Sequence, residues 1–177
     1  MSEPGAALWI SQADSDWACV VKLFDPKDHR TFCQTIAKSQ QTVEKSVKAI
    51  FASIKDRGIN LGPMGYDHNL TTKFNALKRL PSPRNNREIQ ALVNNLLDDY
   101  RISEINFLCG FAPKAPAPGN IHARNTEYPY EVSPGTWTSP ALMSSFSEQE
   151  VIRARQIAEY TFNGARQIVS TIPRLPP

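Results

Sequence analysis

Between residues 32 and 54 the apolar side chains Phe32, Ile36, Val43, Val47, Ile50, Phe51 and Ile54 recur at three- and four-residue steps. A repeat near 3.6 residues puts them on one stripe of an α-helix, whereas a strand would need alternation by two. Lys38, Lys45 and Lys48 fall off this stripe, and the pattern stops before Gly58. A helix of this length, apolar along one side, has to be covered by other elements.

Similar but shorter patterns supply the cover. Asp14-Ser15-Asp16 offers side-chain acceptors for a helix start, followed by Trp17, Val20, Val21 and Phe24. Asp25-Pro26 ends that segment and opens the next, with Asp as cap and Pro at the first helical position. Residues 58–65 are rich in turn formers. Leu70, Phe74 and Leu77 mark a third helix closed by Pro81. Ser82-Pro83 opens a fourth that carries Ile89, Leu92, Val93, Leu96, Leu97 and Tyr100. Residues 105–111 are apolar and short enough for a strand or a helix end. Ser147 with Glu150 three residues later is a capping box ahead of Val151, Ala158, Phe162, Ala165, Ile168, Val169 and Ile172, and Pro173 follows.

Prolines separate these segments. Of the chain's 14, six lie between residues 112 and 140, where they forbid a continuous helix and disfavour central strands. Tyr128, Tyr130 and Trp137 are interleaved with them, so the segment is expected to pack on something. The fold expected is all-α, a bundle of four to five helices with extended N- and C-terminal arms and a long proline-rich loop. Its parts would be an N-terminal arm at 1–13, a helical core at 14–111, a proline-rich loop or arm at 112–146, and a C-terminal helix and extended tail at 147–177.

Composition and motifs point away from metal sites and ordinary catalysis. Cys19, Cys33 and Cys109 form no CxxC pair, and His29, His68 and His122 show no metal-ligand spacing. No phosphate-binding glycine motif occurs. Asp14 with Asp16 and Asp98 with Asp99 read better as caps than as paired acid-base carboxylates. No run approaches a membrane span, and residues 1–10 lack the basic region and apolar core of a secretory leader, so neither membrane nor cofactor is expected. A cysteine-dependent hydrolase built on Cys33 and a distant His has no local support.

The distinctive charge feature is Lys73, Lys78, Arg79, Arg84 and Arg87, with no acid among them, around Pro81, Pro83 and the amides Asn85 and Asn86. A helix start with orphan N–H groups beside guanidiniums suits a phosphate, and Asn side chains add contacts to ribose or base edges. The same pattern also fits an exposed helix corner whose Arg stems cover the core. Arg153 and Arg155 on the last helix form a second cationic pair. The net charge of +3 permits a polyanionic partner without requiring one.

Asn85-Asn86-Arg87-Glu88-Ile89 resembles the segment leading away from the RNA groove in coat proteins of rod-shaped, positive-strand RNA plant viruses, the hordeivirus form more than the tobamovirus one. Acidic residues before Trp17, then Val20-Val21 and Phe24, are similar to the start of that family's first bundle helix. Ser39-Gln40-Gln41-Thr42-Val43 with Phe51 is similar to its second. The interval from Tyr66 through Leu70 and Leu77 to Arg87 resembles its third, and Trp137-Thr138-Ser139-Pro140 its C-terminal end. The resemblance covers roughly residues 14–89. It departs in order, because the long last helix here follows the Trp-Thr-Ser segment instead of preceding it; a filamentous-virus coat protein fits that half comparably well.

The resemblance implies a coat or nucleocapsid protein that self-assembles as a homopolymer and encloses single-stranded RNA, in virions and the host cytoplasm, with no enzymatic activity. Arg84, Asn85, Asn86 and Arg87 would be the RNA contacts, Lys78 and Arg79 would support them, and Arg153 and Arg155 would be a second set. The alternative from another class is a helical adaptor that binds a partner protein through the aromatic, proline-rich segment.

Overall fold

The computed structural model describes residues 4–63, 70–79, 87–111, 124–142 and 145–174. Its organising element is the helix expected from the periodic stripe, α2 (Phe32–Lys55), which is covered on nearly every side. Only Gln34, Lys38, Gln41, Lys45 and Lys55 escape burial, and the first four lie four, three and four residues apart on one narrow strip. The other faces meet α1 (Ala6–Leu23) and α6 (Glu148–Thr171) along their length, with α3 (Thr71–Lys78) and α5 (Asp99–Cys109) at the margins. α4 (Arg87–Leu96) packs on α6.

Small side chains accompany this close packing. Thr35, Ser39, Thr42 and Ser46 repeat on α2 at heptad-like steps, as do Ala154, Ala158, Thr161 and Ala165 on α6, and all are buried. Short side chains at a helix contact shorten the distance between axes. Gly164 extends the same device: a Cβ there would lie 2.3 Å from Leu96 Cδ1, so its absence lets α4 settle on α6.

Several expectations are corrected. α1 begins at Ala6, so the N-terminal arm expected at 1–13 is helical from that residue, and Asp14-Ser15-Asp16 lies inside the helix rather than capping it. Asp16 is buried, only 3% exposed, and meets the strip on α2: Lys38 Nζ donates to Asp16 Oδ1 at 3.2 Å and to Gln41 Oε1 at 2.8 Å, and Lys45 donates to Asp16 Oδ2. Lys48, expected off the core face, is buried in a 2.6 Å pair with Glu44 and sits over the Trp9 ring at 4.9 Å. Asp25-Pro26 does not start α2. Asp25 accepts from Lys27 N–H, a 3-10 turn at His29–Thr31 follows with Asp28 accepting from Arg30 N–H, and only then does α2 begin.

The fourth helix expected to run to Tyr100 is two. Asp98 interrupts it with extended backbone, and its carboxylate accepts from Arg101 N–H at 2.8 Å, starting α5. The apolar stretch 105–111 is therefore helix as far as Cys109. Six α-helices replace the expected four to five among the described residues. The proline-rich segment contains a hairpin, β1 (Tyr130–Ser133) and β2 (Thr136–Thr138), pairing Tyr130 with Thr138 and Glu131 with Trp137. Pro134 and Gly135 form its turn; Gly135 has φ +78°, and its N–H donates to Glu131 Oε1.

The capping box is present as expected: Glu150 N–H donates to Ser147 Oγ at 3.2 Å, and Ser147 N–H donates to Glu150 Oε2 at 2.9 Å. α6 passes into a 3-10 turn, Ile172–Arg174, that takes in Pro173. Among the described residues no helix is long and apolar enough to cross a membrane. The protein is thus mostly helical with one small antiparallel sheet.

Candidate nucleic-acid interface

The basic corner joins the end of α3 to the start of α4. Arg79 follows the last turn of α3 and is exposed, and Arg87 is the first residue of α4, the end where a helix dipole is positive, and is exposed. Lys78 lies between them and α5, where its ammonium is bonded to Asp99 Oδ1. This contact holds the Asp99 carboxyl below its ordinary range. Arg84, Asn85 and Asn86 lie outside the described residues. Lys73, counted with this run in the sequence, is buried at 2% exposure and faces inward.

The second cationic pair is occupied within the fold. Arg153 makes a two-pronged bond to Glu104 of α5, Nε to Oε2 at 2.8 Å and Nη2 to Oε1 at 2.5 Å, and lies over the Phe107 ring at 3.8 Å. Glu104 is thereby held below its ordinary range and Arg153 raised above its own. Arg155 rests on Phe24 of the α1 end at 4.5 Å, and its Nε is buried without a hydrogen-bond partner. Two residues apart on a helix, these side chains point to different neighbours and do not form one site.

Between α6 and the helices α4 and α5 runs a depression that the sequence did not signal. Two hollows of about 250 Å³ and 420 Å³ adjoin at Arg101 and Tyr160, which border both. The Arg101 guanidinium lies on the Tyr160 ring at 4.3 Å and donates to the Asn95 carbonyl. Tyr160 O–H donates to the Leu96 carbonyl; burial raises its pKa to about 12, against the opposing pull of Arg101. Tyr100 stands at one lip, 72% exposed, and the exposed amides of Asn95, Asn163 and Gln167 line the far end. Its residues come from three helices, so no local sequence pattern marks it.

A third feature is the tie that holds segment 124–146 to α6. Arg124 lies over the rings of Phe111 and Phe146, which meet edge to face, at 4.7 Å and 4.9 Å, donates to the Ser145 carbonyl at 3.2 Å, and pairs with Glu150. Beyond the tie, Tyr128, Val132, Trp137 and Leu142 are between 53% and 61% exposed. Among the described residues, no group of three or more His, Cys, Asp or Glu side chains could hold a metal. Cys33 is buried, which pushes its thiol pKa up, away from the thiolate a nucleophile needs. No family model, no curated protein and no solved structure matches the chain.

Proposed function

We propose that this chain is a coat subunit that polymerises with copies of itself and encloses single-stranded RNA. The observation that carries the reading is the exposed apolar surface of segment 128–142, where Val132 and Trp137 on a two-stranded hairpin, and Tyr128 and Leu142 flanking it, face solvent. A hairpin of this size is marginal alone, and clustered exposed apolar side chains suit burial against another molecule. In a polymer the helices would act as the bundle and this segment as the arm laid across a neighbouring subunit. Arg79 and Arg87 support the RNA part of the reading, being exposed cations at the end of α3 and the start of α4, the latter a favourable place for a phosphate. A polymer needs few such contacts per subunit, because the array multiplies them.

Purified protein should sediment as large assemblies with a nucleic-acid-like ratio of absorbance at 260 and 280 nm, and electron microscopy should show regular particles. A chain that stays monomeric at high concentration, with and without RNA, would rule the coat out and favour the adaptor, whose partner would take the same hairpin.

A further inference from the structure

We infer that the depression between α4, α5 and α6 is a binding groove for the bases of single-stranded RNA, separate from the phosphate contacts of the basic corner; this rests on the RNA-enclosing reading above. The chemistry of the groove is what distinguishes bases from phosphates. Both of its arginines are already neutralised, Arg153 by Glu104 and Arg101 by Asp98 at 3.5 Å, so the groove offers little net attraction to a phosphate. Each guanidinium lies over an aromatic ring, Arg101 4.3 Å from the centre of Tyr160 and Arg153 3.8 Å from that of Phe107. Arginine planes and aromatic rings are the surfaces on which unpaired bases stack.

Tyr100 adds an aromatic face open to solvent at the lip, the usual platform for an unpaired base. The amides of Asn95, Asn163 and Gln167 provide both donors and acceptors for base edges, without charge. The combined hollows are large enough for planar rings, and their walls are rigid because Tyr160 and Arg101 are bonded to the carbonyls of Leu96 and Asn95.

The groove also adjoins the corner. Asp99, which holds Lys78, is next in the chain to Tyr100. On α4, Arg87 precedes the groove residue Leu92 by five positions, about 7.5 Å of helix rise. One strand can therefore lay its backbone along Arg79 and Arg87, the exposed cations of the corner, while turning its bases toward α6.

The test is fluorescence anisotropy of the full chain with a labelled oligouridylate of about twelve nucleotides, a length suited to single-strand sites, across a salt series. Tyr100→Ala should weaken binding roughly ten-fold while leaving the slope of log affinity against log salt unchanged, because stacking releases no counterions. Tyr100→Phe should bind like the unaltered chain. The pair Asn163→Ala with Gln167→Ala should also weaken binding at constant slope, whereas Arg79→Ala or Arg87→Ala should reduce the slope by about 0.7. If the unaltered chain binds the oligonucleotide but Tyr100→Ala and the amide pair bind as well as it does, the groove is not the base site and the coat reading stands. A flatter salt slope in Tyr100→Ala would also overturn the groove, since it would make the contact electrostatic. If the unaltered chain binds no RNA at low salt, the RNA reading fails and takes the groove with it.

Discussion

Asp16 shows how far one side chain's role depends on what lies opposite it. As part of Asp14-Ser15-Asp16 it has the sequence of a helix cap, yet it is the buried acceptor for two lysines of the neighbouring helix. Both lysines keep a path to water, with side chains 32% and 21% exposed, so removing the carboxylate does not strand two fully buried charges. The penalty for breaking a fully buried pair, about 3–5 kcal/mol, is therefore an upper limit, and about 1–3 kcal/mol is the expected cost of Asp16→Ala. Urea unfolding measures it, and a change under about 0.5 kcal/mol, the usual scatter of surface substitutions, would show that the lysines are satisfied by solvent. Arg153 and Arg155 make the complementary point, because cations that suit a ligand by type are engaged with Glu104, Phe107 and Phe24.

A helix boundary was legible where a local cap stands ahead of its apolar pattern. Ser147 and Glu150 bond each other's backbone and side chain across three residues, so their spacing suffices to mark the start of α6. Asp98 is equally local, but a cap inside a continuous apolar pattern is invisible to periodicity, and α4 and α5 read as one helix. Glu150 also ties the incoming segment through Arg124. Burial raises its pKa, but the Ser147 N–H and Arg124 outweigh that, and the net shift is below the ordinary value of 4.5. A carboxylate with a depressed folded pKa stabilises the fold above its unfolded pKa, and that contribution is lost as pH falls through the folded value. The melting temperature of the unaltered chain should therefore exceed that of Glu150→Gln at pH 7. The gap should close as pH falls below the folded pKa of Glu150, where both side chains are neutral. A gap that persists unchanged in acid would mean that the charge contributes nothing and only the shape of the cap matters.

At the scale of the whole molecule, four of the seven exposed large hydrophobic side chains among the described residues lie on segment 128–142. Val132→Lys with Leu142→Lys replaces two exposed apolar side chains, so thermal unfolding of the dissociated subunit should move by no more than the roughly 0.5 kcal/mol typical of surface changes. In the proposed polymer, assembly should weaken far more, because each lost contact would recur at every subunit junction. Sedimentation velocity over a concentration series compares the two effects. Equal loss of assembly and of subunit stability would place these side chains in the subunit's own packing.

Helical class, the apolar stripe of the 32–54 helix, the α6 start and the exposed cations Arg79 and Arg87 follow from the sequence alone, since each depends on neighbours within one or two turns. The helical start of α1 at Ala6, the inward Lys48 and Lys73, and the grouping of Tyr100, Arg101, Arg153 and Tyr160 were decided by tertiary structure. Those depend on which faces of α1, α2, α4, α5 and α6 meet, and that choice is made by packing between residues far apart in the chain. A periodic pattern identifies a face to be buried; only the assembled fold selects the face that covers it and the side chains left around the gap.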